Sequence, residues 1–201
     1  AGSGLFAIKD PRICRFLPFW LSLLQENNIN PAIVIPVRNP LEVAHSLKAR
    51  DGFPLAKGGL LWLRHVLDAA LFSVDHPVAV VSYAQLMTDW QSVAEQVVQQ
   101  VHTVFPRQSV TAELEIEQYL DNRQKHNAYT LADVESCREF SPHVVAAYRI
   151  MLDWLSGEAE PGVCREKLQL IRDRFDRESL PYAKLGQAQQ LAANKNQQSY
   201  D

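Results

Sequence analysis

Three apolar runs in this chain end in residues suited to anion chemistry. In "AIVIPVRNPLEVAHSLKAR" (32–50) a β-branched run stops at Arg38-Asn39-Pro40, and Ser46 follows eight positions after the arginine. A guanidinium makes bidentate, charge-assisted hydrogen bonds to phosphate-like groups. A helix starting at Pro40 would present free backbone N–H groups and the positive end of its dipole beside that guanidinium. Ser46 lies about two turns along, on the face shared by Glu42 and Val43, where its hydroxyl can point back toward the arginine. Arginine plus hydroxyl is a fitting pair for a phosphate. The spacing leaves a plainer reading open, in which Arg38 pairs with a surface carboxylate and Ser46 is a helix-surface residue.

The other two stretches are "LFAIKDPR" and "VAVVSYAQL". In the first, Lys9 could neutralise charge on a transferring anionic group. Asp10 could cap a turn or act as a base. The alternative there is a capped turn with a solvated lysine. In the second, Tyr83 could lie beside a nucleotide base, or pack at the rim of the core.

These residues need elements to position them. "LFAIK" (5–9), "AIVIPV" (32–37) and "VAVVS" (78–82) read as strands, the latter two as continuous apolar runs of the kind covered on both faces. "CRFLPFWLSLLQENN" (14–28) reads as a helix with Pro18 near its start. Asn39 can cap the next helix, with Pro40 in its first position, Glu42 in capping-box spacing and a stop near Asp51-Gly52. "KGGLLWLRHVLDAALFSV" (57–74) is a strongly apolar, buried helix. Further helices are expected at about 90–104, 111–121, 142–156 and 161–178. Strand–helix–strand alternation predicts an α/β fold, a parallel sheet flanked by helices on both faces, with a helical C-terminal part. In such sheets ligands lie beyond the carboxyl ends of the strands, where all three stretches end. The expected domain spans 1–185, and 186–201, rich in Gln and Asn, reads as a tail, a linker or a frayed helix.

Composition bounds the function. The chain has 201 residues, 47% hydrophobic and 21% charged, with a net charge of −3. That balance gives no whole-protein attraction to nucleic acid or to anionic membrane, so an anion site must be local. No apolar run is long enough for a transmembrane helix, no signal peptide is visible, and a cytoplasmic location is expected. Cys14, Cys137 and Cys164 fit no zinc or disulfide spacing, and the histidines form no metal motif, so no metal is expected. The start, "AGSGLFAIKD", lacks Met, and two explanations stay open: a start cut from a longer, multidomain chain, or a cloning scar.

Taken together, these residues resemble the sulfotransferases that use 3′-phosphoadenosine 5′-phosphosulfate (PAPS), in particular the bacterial carbohydrate and tyrosylprotein types. In that family a strand ends in Arg, a proline dipeptide follows, and a Ser stands eight residues after the Arg, as Arg38, Asn39-Pro40 and Ser46 do here. "IKDPR" is similar to the family's Lys-Asp-Pro element and "VVSYAQLMTDW" to its strand-then-Tyr-x-x-Leu segment. "DNRQKHN" (121–127) stands where such enzymes place further cofactor contacts. The resemblance covers roughly residues 5–130.

It implies a P-loop nucleotide-hydrolase-like sulfotransferase fold, PAPS as co-substrate, and a carbohydrate or other small-molecule acceptor carrying a hydroxyl or amine. Arg38 and Ser46 would hold the 3′-phosphate, with Tyr83, Arg123 and Lys125 as further cofactor contacts and Lys9 beside the sulfuryl group. The family's opening strand and Gly-rich 5′-phosphate loop have no counterpart here, so the chain by itself is expected to be inactive. Two other classes stay open: a phosphotransferase of related architecture, which would need a Walker lysine and a Mg²⁺-binding Asp, and a non-catalytic docking module.

Overall fold

The computed structural model describes residues 4–106, 109–121 and 129–198, with the backbone alone beyond residue 180. The chain is mostly helical around a two-stranded parallel sheet, an α/β arrangement. A 3-10 turn (Ile13–Phe16) leads into α1 (Leu17–Glu26), and Pro18 occupies the first turn, where no N–H is needed. Strand β1 (Ile33–Val37) connects through α2 (Pro40–Asp51) and α3 (Leu55–Phe72) to β2 (Val78–Ser82). The strands pair in register from Ile33 opposite Val78 to Val37 opposite Ser82, so both carboxyl ends finish together.

The local signals around α2 act as their types demand. The Asn39 Oδ1 accepts from the Leu41 N–H at 2.8 Å, Pro40 opens the helix, and Gly52 closes it at φ 69°, where a side chain would be strained. Lys48 and Arg50 sit in the last turn, favourable to the helix dipole. Glu42 does not complete a capping box; its carboxylate is taken by Arg38 instead.

The main core lies on one side of the sheet. Ile35, Val37 and Val80 pack with Leu41 and Ala44 of α2, with Trp62, Leu63 and Leu67 of α3, and with the apolar stripes of two later helices. Those are α8 (Pro142–Ser156), contributing Val144, Ala147, Tyr148 and Met151, and α9 (Pro161–Gln198), contributing Leu168 and Ile171. Helices α2 and α3 approach closely because Gly58 faces Ala44: a Cβ at Gly58 would stand 2.7 Å from the Ala44 Cα. Gly59 likewise accommodates the Phe140 ring. Gly58 and Gly59 are therefore buried within α3, as its apolar sequence predicts.

On the other side of β2, α4 (Tyr83–Thr88) and α5 (Trp90–Val101) complete the layer. Asp89 caps α5, and Val93, Val97 and Val101, at helical spacing, close over Ala79 and Val81. A fully buried valine contributes roughly 1.5–3 kcal/mol relative to an exposed one. Helix α6 (Val110–Asp121) and the short, box-capped α7 (Leu131–Ser136) lie between α5 and α8 in the chain.

Three expectations are corrected. Residues 5–9 form no strand: the segment is irregular and exposed, with Phe6 at 53%. A short, largely apolar run becomes a strand only where a sheet edge accepts its backbone groups, and no strand of the described residues pairs with it. The sheet of the described residues therefore has two strands instead of three. Strand β1 is covered on one face only, leaving Val34 at 45% exposure. The last helix also runs past its expected end near 178, continuing to Gln198. No helix of the described residues is long and apolar enough to cross a membrane.

Candidate functional site

At the joint carboxyl end of the strands the chain delivers Arg38 from β1 and Tyr83 from β2, each one residue beyond the paired Val37 and Ser82. The register brings them together, with the guanidinium carbon 4.7 Å from the centre of the Tyr83 ring. A cation over an aromatic face is attractive by roughly 0.5–2 kcal/mol, depending on desolvation. The arginine is held from two further directions. Its Nε donates to the Glu42 Oε2 at 2.9 Å, with the two side chains only 23% and 14% exposed. Its carbonyl accepts from the Trp62 Nε1 at 2.9 Å. Trp62 in turn meets Tyr148 edge to face, and burial pushes the Tyr148 phenol up in pKa.

Among the described residues the Nη1 and Nη2 groups of Arg38 have no hydrogen-bond partner. They are two adjacent donors, unpartnered among the described residues, at the N-terminal end of α2. Asn39 anchors this corner to the chain beyond, its Nδ2 donating to the Tyr129 carbonyl at 2.8 Å, while His45 stacks on the Tyr129 ring at 5.3 Å. The arrangement can receive a group with two adjacent acceptor oxygens, as a phosphate has.

Ser46 is one turn beyond Glu42 on α2, exposed, with no hydrogen bond to its hydroxyl among the described residues. Lys9 is exposed on the irregular N-terminal segment and makes no ion pair or hydrogen bond among them. Arg123 and Lys125 lie outside the described residues. Asp10 is not a base poised near neutrality. Its hydrogen bonds from the Arg12 side chain and backbone, at 2.7 to 3.1 Å, hold its carboxyl at about 2. It serves as the turn cap of the plainer reading.

Two carboxylate partners went unassigned from sequence, although Glu42 was read as a capping-box residue and a carboxylate pairing of Arg38 was left open. Glu42 could have been found from its i, i+4 relation to Arg38. Asp68 is the other, 1% exposed within the apolar run "HVLDAALF". It pairs with Arg15 of the 3-10 turn and lies 3.4 Å from Arg172 of α9, tying the N-terminal segment and the last helix to α3. A lone carboxylate amid apolar helix positions was the available signal.

A separate open groove of about 420 Å³ lies among Ser82, Gln85, Gln96, Asp153, Ser156 and Glu158. Its two carboxylates, with no cation in the lining, disfavour an anionic ligand. No group of three His, Cys, Asp or Glu side chains among the described residues converges on a common point. Comparison of the chain with known protein families, with curated proteins and with solved structures finds no match.

Proposed function

We propose that this chain is a PAPS-binding, sulfotransferase-like domain whose 3′-phosphate site is built on Arg38. One observation carries the reading: the Nη1 and Nη2 donors of Arg38, unpartnered among the described residues and braced by Tyr83 and Glu42 at the carboxyl end of two parallel strands and the start of α2. That is where α/β sheets hold nucleotides, and a helix start adds its own preference for anions. The Ser46 hydroxyl supplies a further donor along the same helix, and the Tyr83 ring supplies a surface beside which a base can lie.

In the reaction an acceptor hydroxyl or amine attacks the sulfur of PAPS in line. The new S–O or S–N bond forms as the bond from sulfur to the bridging phosphate oxygen breaks. PAP leaves, and the acceptor's proton passes to a base. Lys9 is the residue proposed to offset charge on the sulfuryl group. Its free, exposed position supports a second reading, nucleotide binding without turnover, in which Lys9 has no catalytic task.

The deciding experiment is titration of the chain with PAP (adenosine 3′,5′-bisphosphate), 5′-AMP and ATP–Mg²⁺ by calorimetry and thermal shift. PAP should bind best, and Arg38→Ala should weaken it by about 1.5–3 kcal/mol, the worth of a hydrogen bond to a charged group. Equal binding of PAP and 5′-AMP would sink the assignment, and preference for ATP–Mg²⁺ would favour a phosphotransferase. Incubation with labelled PAPS and a panel of carbohydrate and phenolic acceptors then reads turnover: product would exclude the silent binder, while none is expected from the chain by itself, which has no counterpart of the 5′-phosphate loop.

A further inference from the structure

The geometry points to Glu42 as the positioning residue of the anion site: by occupying the Arg38 Nε it leaves Nη1 and Nη2, unpartnered among the described residues, as the arginine's donor pair for a phosphate. This rests on the 3′-phosphate reading and gives Glu42, there only a brace, the task of selecting which donors meet the phosphate. An arginine side chain has four rotatable bonds, and fixing it costs entropy unless something holds it beforehand. Here three contacts do so. Trp62 pins the backbone carbonyl, the Tyr83 ring lies against the guanidinium face, and Glu42 takes the Nε side at 2.9 Å. The first two leave rotation of the guanidinium within its own plane undetermined, and Glu42 alone of the three selects which nitrogens stay available.

The same contact has an electrostatic consequence. The carboxylate offsets the charge of Arg38 and sits in the first turn of α2, against the approach of a second anion. Glu42 therefore improves geometry while lowering local potential, and the two effects separate by substitution. Glu42→Gln keeps an oxygen that accepts from Nε and removes the charge. Glu42→Ala removes both. A residue that merely supported the helix would change stability without discriminating between nucleotides.

The test uses the 201-residue chain and compares the affinity ratio of PAP to 5′-AMP, which isolates the 3′-phosphate. Glu42→Ala should reduce that ratio roughly five- to tenfold, with 5′-AMP binding unchanged. Glu42→Gln should retain the ratio or raise it by about twofold. In ¹H–¹⁵N spectra the slowly exchanging Arg38 Nε–H signal should be kept in Glu42→Gln and lost in Glu42→Ala. Thermal melts of both variants establish that they are folded. A wild-type preference for PAP that persists in Glu42→Ala would overturn the positioning role while leaving the phosphate site standing. A wild type with no preference for PAP would overturn the phosphate site, and this role with it.

Discussion

Strands β1 and β2 look alike as sequence and meet different fates in the fold. "IVIPV" and "VAVVS" are both uninterrupted apolar runs, and each sends one face into the main core through Ile35, Val37 and Val80. The other face of β2 lies under α5, with Ala79 and Val81 at 0% and 2% exposure. The corresponding face of β1 stays bare at Val34 and Pro36. Pro36 fits this position, since a proline in a strand belongs at an edge where no N–H is required. An apolar run therefore reports that a strand can be covered twice. Whether it is depends on a helix arriving from elsewhere in the chain.

The contrast between the two faces can be broken most sharply with charge. Val81→Asp should cost about 3–5 kcal/mol in urea unfolding, since it leaves an unpaired carboxylate beneath α5. Val34→Asp, on the bare face, should cost about 1 kcal/mol or less. Equal losses would mean that the outer face of β1 is also buried. A smaller effect is expected where the main core is tightest. Gly58→Ala should destabilise by about 1–3 kcal/mol, because the new methyl meets the Ala44 backbone of α2. Below that lies a milder version of the first pair. Val81→Ala should cost roughly 1–2 kcal/mol and Val34→Ala within about 0.5, again by urea midpoint.

The smallest effect belongs to the exposed N-terminal segment, which neither face of the sheet covers. Its Asp10 carboxyl should titrate at about 2 by NMR, because hydrogen bonds from Arg12 favour the ionised form. A depressed carboxyl lends stability above the ordinary carboxylate range and loses it as pH falls toward 2. The Asp10 turn should therefore loosen only in strong acid. Arg12→Ala should return the titration toward the usual value, and an unchanged midpoint would show that Arg12 is not the cause.

The candidate site was legible in part. Arg38, Asn39 and Pro40 were readable because strand end, cap and first helical position are local features whose physics is complete within a few residues. Tyr83 was readable as a strand-end residue, but its contact with Arg38 came from the register of β1 on β2. The Arg38–Glu42 pair was within reach of i, i+4 spacing and was misread as a capping box. Asp68, with Arg15 and Arg172 drawn from opposite ends of the described chain, was beyond any local rule. The strand expected at 5–9 fails where α5 succeeds, because a helix closes its own backbone hydrogen bonds. A strand is made by its neighbour's hydrogen bonds, and apolar composition does not supply the neighbour.

By itself, then, the sequence determined the longer helices with clear periods, the two paired strands, and an arginine stationed where a strand gives way to a helix. These follow from short-range sterics, capping and burial periodicity. Tertiary structure alone decided how many strands join the sheet, which faces are covered, and which nitrogen of Arg38 is occupied. Those depend on long-range pairing and packing among Glu42, Trp62, Tyr83 and α5, whose positions are set only when the whole chain has closed around its core.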